Sequence, residues 1–542
     1  MPTRSNLLKR SYALFNNRYF TSIVFIVCLL TRLIMQLYFF GMKYDRSFQL
    51  LAARNFHSGH GITVNELAAS SPFQQIYLPI PGWPPGYSII IGLLTFVTNN
   101  NVITAGIVFD LICVFLFFLF SRKILKLINT PLWLINLFTL VSGFFAYDFC
   151  QDATTDLNAL AFFLCGLYMC LNYLGNSSRS INYIILLSVI NFICPFLRFM
   201  YIPISFIIPV YLLVSGFKLN DIRLRKAGTV SLVLTTFLIS GLLLFQSRYT
   251  GSAAYISTSE KGFYFQNLQK LYPIIISAFI NIRFYLNNPT VYSIINTVFL
   301  YLIIAILNIA GIILSLYFFI RFFIARKWKD FTLGDHYFLI GGITSFCILL
   351  LLSWLSLRYA LPGNFLEGWT YVQEPRYFAF IVLFVQQAFL ILTYNYRNQI
   401  NYFGRLIIYG IAFLLFTEIL HGIYFTNKII RKDLSSNELP NPGLVQAHYI
   451  KTLIKDSKTK KGRIIFISQD ETVDNIANLE NVDVLYNLSD RNKLIGHCAD
   501  CTIFVAIDIE KNDPEQEAFM REAEKQKISS VENFNYYEFT YP

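Results

Sequence analysis

Charge is what this sequence has least of. Only 14% of its 542 residues are Asp, Glu, Lys or Arg, against about a quarter in a soluble globular protein, so an ordinary water-facing surface is excluded. Cysteine offers no scaffold. There are nine in all, scattered, and several (Cys28, Cys113, Cys165, Cys347) lie inside apolar runs, which is not a disulfide framework. His497-Cys498-Ala-Asp-Cys501 contains one C-x-x-C with no second pair after it, which argues against a zinc site. No internal repeat or low-complexity linker is visible, and the paired halves with matching broken helices common in secondary transporters are missing. The formal net charge of +12 does not point to nucleic acid, because the basic residues gather at the ends of apolar runs on alternate loops, where membrane topology needs them.

What fills the chain is hydrocarbon and ring, with 55% apolar and 17% aromatic residues. Runs such as Thr21–Gly41 and Val291–Ile320 are long enough to cross a bilayer as helices. They lack the alternation of barrel strands, so the chain reads as a polytopic α-helical membrane protein. Basic loops on one side divide it into roughly eleven spans: Tyr19–Gly41, Val102–Phe120, Leu132–Tyr147, Leu157–Leu174, Ile181–Leu197, Tyr201–Ser215, Val230–Phe245, Val291–Ile320, Tyr337–Leu357, Phe378–Tyr394 and Leu406–Tyr424. The N-terminus is then cytoplasmic and the C-terminus outside. Gly86–Phe96 is too short to span and reads as a helix at the outer surface. The first run has no small-residue cleavage site after it and is retained as an anchor.

Two parts follow. Residues 1–426 form the membrane part, with outer loops 42–86, 246–290 and 358–377. Residues 427–542 change composition. There Arg463–Ser468, Val482–Tyr486 and Thr502–Ile507 read as buried strands between helices Glu471–Leu479 and Pro514–Gln526, a small extracytoplasmic α/β domain.

The polar residues with no simple topological use gather on the outer side. Asp45 follows the first span. Asp148, Asp152 and Asp156 surround the second outer loop, and Arg198 stands between two closely spaced spans. Glu374, Arg376 and Tyr377 precede the tenth span. Arginines grip a phosphate bidentately, and a carboxylate takes a proton from an incoming hydroxyl or amine, so this set suits transfer of a group carried on a lipid phosphate.

The opening stretch carries Asp45, then Ala53, Asn55, Gly59 and Gly61 in AARNFHSGHG, then WPPGYSIIIGLL; Glu374-Pro375-Arg376-Tyr377 comes late in the chain. These segments resemble those of the GT-C-fold glycosyltransferases, in particular the protein O-mannosyltransferase and lipid A aminoarabinose transferase group. The resemblance runs from about Arg18 to Tyr424 and is strongest in the first hundred residues. It implies inverting transfer of a sugar from a polyprenyl-phosphate donor to an outer-face acceptor (protein, lipid or glycan), with no cofactor and no required metal. Asp45 would be the general base, and Arg376, Arg198 and Tyr377 would hold the donor phosphate. The chain departs from the group at Arg46, where an acidic residue often follows the Asp, and at Gln49, where a Tyr is usual. Asp45 is therefore the single candidate base.

Blander roles compete. Asp45 fits a solvated helix end, and Arg376 an interface anchor. His57 and His60, near Asp45 in sequence, suit loop contacts or substrate hydrogen bonds better than a metal. Trp83 and Tyr87 suit sugar stacking or interface anchoring alike. Asp152, Asp156 and Glu374 are candidate substrate contacts, the two aspartates more readily structural. Arg32 and Asp110 both lie ~13 Å inside their spans, so the two are expected to pair, because isolated charges there are costly. The implied setting is a bacterial inner membrane, N-terminus in the cytoplasm and C-terminal domain in the periplasm. A transporter or flippase of lipid-linked sugars is the alternative; it shares the arginines but needs no base.

Overall fold

The computed structural model describes residues 16–38, 44–68, 71–80, 83–145, 155–176, 180–251, 262–271, 279, 297–324, 326–358, 375–431, 443–457, 463–468, 470–485, 501–509, 514–531 and 534–541. The chain enters through α1 (Arg18–Tyr38) and turns into the amphipathic α2 (Tyr44–His57). An antiparallel hairpin of β1 (Thr63–Ala68) and β2 (Ser71–Pro79) follows, with Asn65 opposite Tyr77. The short α3 (Gly86–Thr95) then leads to α4 (Val102–Leu127), α5 (Leu132–Phe145), α6 (Asp156–Gly175) and α7 (Ile181–Leu197). After α8 (Tyr201–Ser205) come α9 (Ile207–Lys218), α10 (Ile222–Thr250), α11 (Thr297–Ile324), α12 (Leu333–Arg358), α13 (Ala379–Asn395) and α14 (Tyr402–Arg431).

Every one of the eleven expected runs contains helix. By length and apolarity, seven helices among the described residues can cross a membrane, and others such as Ile181–Leu197 and Ala379–Asn395 are shorter, at 10–17 residues. Seventeen helical residues rise ~26 Å, a little less than the ~30 Å hydrocarbon core.

The bundle is organised on α6, most of which is buried, from Asp156 through Phe163 and Leu167 to Tyr173. Its neighbour α4 brings Phe109, Cys113 and Phe117 into the same core. By contrast α10, α11 and α14 turn Phe237, Leu244, Ile306, Ile313, Phe413 and Phe416 outward. Such extensive exposed hydrocarbon is stable only against lipid, and the chain is an integral membrane protein.

After α14 the chain forms α15 (Gly443–Ser457), β3 (Arg463–Ser468), α16 (Glu471–Leu479), β4 (Asp483–Leu485), β5 (Cys501–Asp508), α17 (Pro514–Glu522), β6 (Lys527–Val531) and β7 (Phe534–Tyr541). The sheet order is β4-β3-β5-β7-β6. Strands β3, β4 and β5 are parallel, as β-α-β connections require, and β7 runs antiparallel to β5 and β6. The three expected strands are present. The hairpin β1–β2 and the strands β6 and β7 had not been anticipated: FNYYEFTY pairs with the full length of β5 and buries Phe534, Tyr536 and Tyr537.

Candidate active site

Asp45 stands in the first turn of α2, where the partial positive charge of a helix N-terminus favours a carboxylate. Its side chain is 19% exposed. Facing it is Arg198, presented by a break in the chain. Pro195 lies in the last turn of α7, and Arg198 caps that helix in an extended conformation before α8 restarts the path. Arg198 Nη1 is 3.9 Å from Asp45 Oδ2, while its Nε is 3.0 Å from Asp156 Oδ1. Asp156 is the buried first residue of α6, again at a helix N-terminus. The guanidinium carbon also lies 5.3 Å from the ring centre of Tyr377, in the 3₁₀ turn Pro375–Phe378 ahead of α13, a cation–π distance. Four sequence candidates from four separate segments thus meet in one cluster. Arg376 shares the turn with Tyr377, but its side chain, together with Asp148, Asp152, Glu374, Cys498 and most of loops 246–290 and 358–377, lies outside the described residues.

What fixes Asp45 in place is its neighbour. Arg46 is 1% exposed; it forms an ion pair with Asp110 of α4 and donates to the Tyr87 hydroxyl at 3.4 Å. Asn158 of α6 donates to the other Asp110 oxygen at 2.8 Å. This corrects the expected Arg32–Asp110 pair: Asp110 is taken by Arg46, and Arg32 donates to the Ser142 carbonyl at 2.6 Å. The expectation overlooked α2, whose Arg46 reaches into the bundle to Asp110. The residue that looked like a departure at position 46 is the anchor of the helix.

The other candidates stand elsewhere. Tyr87 is 1% exposed and packs on Phe109, so its ring presents no open face. Trp83 stacks on Phe48 at 5.5 Å. His57 and His60 lie at the far end of α2, ~18 Å or more along its axis from Asp45. His57 contacts the Asn100 side chain at 3.0 Å, and His60 stacks on Tyr77 at 4.1 Å.

That far end carries a second polar assembly. Asn55 donates to the Thr63 carbonyl at 2.8 Å and to Asn65 at 3.1 Å, while Gly59 and Gly61 take positive φ to turn the chain into the hairpin. Arg54 donates to Asn65 and to both the backbone and side-chain oxygens of Asn478 in α16. Asn478 returns a 2.7 Å bond to the Asn65 carbonyl, Asn475 donates to Ser47 at 3.1 Å, and Gln75 to Asp483 at 2.9 Å. The α/β unit is thereby fastened to α2 and the hairpin, and between them opens a polar cleft of about 230 Å³ lined by Arg54, His60, Gln75, Tyr77 and Asn481 among others.

Among known structures, the chain matches ArnT from Cupriavidus metallidurans in the apo state, an aminoarabinose transferase, at a TM-score of 0.52 and 12% identity. The match covers 95% of this chain and 97% of that one. The Archaeoglobus fulgidus oligosaccharyltransferase tethered with an acceptor peptide aligns at 0.41 and 11% identity, over 91% of this chain and 70% of that one. No protein-family model and no curated protein sequence matches. The fold expected from the opening motif is the one found: this is a GT-C-like membrane fold with a small α/β unit after its last long helix.

Proposed function

We propose that the protein is a membrane glycosyltransferase that moves a sugar from a polyprenyl-phosphate donor to an acceptor on the outer face. The observation that carries this reading is the convergence of Asp45, Arg198, Asp156 and Tyr377 in a fold shared with ArnT. Asp45 takes the proton from the acceptor hydroxyl or amine as that atom attacks the anomeric carbon. The bond from the anomeric carbon to the phosphate oxygen breaks, the configuration inverts, and the phosphate leaves with the electron pair. Arg198, held by Asp156 and stacked on Tyr377, steadies that charge, and Arg376 joins it. Asp156 is a positioning residue: it fixes the guanidinium rather than touching the reacting atoms.

The acceptor enters along α2, on the side of the polar cleft. Amide side chains and the stacked His60–Tyr77 pair suit a hydroxyl-rich acceptor such as a glycan. This face is extracytoplasmic in the reading, with the basic helix ends opposite.

The test is release of radiolabelled sugar from a panel of polyprenyl-phosphate sugars by the purified protein in lipid, wild type against Asp45→Asn. Transfer by the wild type, abolished in the variant while donor binding is kept, is the expected result. Lipid movement between leaflets with no transfer product from any donor overturns it in favour of a flippase.

A further inference from the structure

On the face of the bundle opposite the Asp45 cluster, α5, α13 and α14 enclose a cleft of about 520 Å³. The helix α13 runs from beside Tyr377 to Asn395, and Arg397 follows it. Twenty residues at ~1.5 Å each place Arg397 ~30 Å from Tyr377, a full hydrocarbon thickness away. The walls are Leu137, Phe389, Ile408, Leu415 and Ile419, all apolar. Along α14 the lining extends from Arg405 to Ile419, ~21 Å, deep enough to take an acyl chain well into the bilayer.

The mouth is of opposite character. Arg397 and Arg405 both line it, both are exposed, and neither forms an ion pair among the described residues. Arg397 is held in place: its Nη1 donates to the Tyr394 carbonyl at 3.1 Å, its guanidinium lies 4.5 Å from the Tyr394 ring centre, and Trp133 packs edge-on against that ring at 5.7 Å. Two cations above an apolar slot, one of them pre-oriented on an aromatic shelf, match one chemistry: a phosphate headgroup with hydrocarbon tails.

We propose that this cleft binds an anionic phospholipid of the leaflet facing away from the transfer site, its phosphate between Arg397 and Arg405 and an acyl chain along α14. The site is independent of the donor, which the reading above places ~30 Å away.

The experiment is native mass spectrometry of the full-length protein released from micelles doped with phosphatidylglycerol or phosphatidylcholine. The variants are Arg397→Gln/Arg405→Gln and, separately, Leu415→Trp, which fills the slot without touching charge. Wild type is expected to retain phosphatidylglycerol over phosphatidylcholine, and the double variant to lose that preference by about tenfold. Leu415→Trp is expected to lower retention of both lipids alike. A double variant that keeps the wild-type preference overturns the proposal, and so does a wild type that retains both lipids equally. Unchanged far-UV circular dichroism of each variant separates loss of the site from loss of the fold. Transfer activity does not enter the readout, so failure here leaves the Asp45 reading untouched.

Discussion

The guanidinium of Arg46 and the carboxylate of Asp110 meet in the interior of the bundle, one residue along from the candidate base. Both are at most 3% exposed. Charges so deeply buried are favourable only as a pair, and removing one leaves the other uncompensated. Asp110→Leu alone is therefore expected to cost ~3–5 kcal/mol of stability, while adding Arg46→Met recovers most of it. Thermal unfolding in detergent, read as a double-mutant cycle, is the check; additive losses would refute the coupling.

Arg198 and Asp45 divide the work differently. Asp45→Asn removes the proposed proton acceptor and is expected to lower turnover by at least 10²-fold, with donor affinity unchanged. Arg198→Lys keeps the charge but loses the planar fork that spans Asp45 and Asp156, so it should not rescue Arg198→Gln. Donor binding measured alongside turnover separates the two. A full rescue by lysine would mean that charge alone suffices.

Asp156→Asn takes from Arg198 the carboxylate charge that stands 3.0 Å from its Nε. The expected outcome is weaker donor binding, by roughly tenfold, with a smaller change in turnover at saturating donor. An effect confined to turnover would place Asp156 on the reacting atoms instead.

At the far end of α2, His60→Ala and Tyr77→Ala remove the stacked pair without touching the contacts of Arg54 to Asn478. Acceptor KM should rise several-fold with donor KM constant. If both constants stay at wild-type values, the cleft is only a seam between two parts of the chain.

Gly86 of the WPPGY segment sits where α3 crosses the end of α7, and a Cβ there would strike the Phe196 carbonyl oxygen and ring. Since backbone cannot yield as a side-chain tip can, Gly86→Ala is expected to destabilise by ~1–3 kcal/mol. Unfolding midpoints test it; an unchanged midpoint would show that the helix ends separate freely.

Much of this was legible in the sequence, for identifiable reasons. Apolar runs of 15 to 30 residues announce helices, because lipid leaves the backbone no other partner. The cluster was legible residue by residue, since Asp45, Asp156, Arg198 and Tyr377 each sit at a helix end next to an apolar run. Their meeting was not, for it depends on the break after Pro195 that lets Arg198 reach both Asp45 and Asp156. Arg46 was not anticipated as the partner of Asp110 because the two stand 64 residues apart on different helices. The hairpin escaped notice because TVNELA and SPFQQIYLP mix faces, one packing on α2 and the other lining a polar cleft. The terminal strands had their signal in the Tyr and Phe of FNYYEFTY, residues that favour extended chain.

One short helix joins two regions otherwise described apart. At its first turn α2 carries Asp45, and at its last turn Arg54 is gripped by Asn478 of the α/β unit. Fourteen residues of helix form a rod ~21 Å long, too short to bend appreciably. The C-terminal unit is thus a bearing for the helix of the candidate base rather than an appendage. A protein trimmed to its greasy core would keep every residue of the cluster and lose the alignment that makes them one.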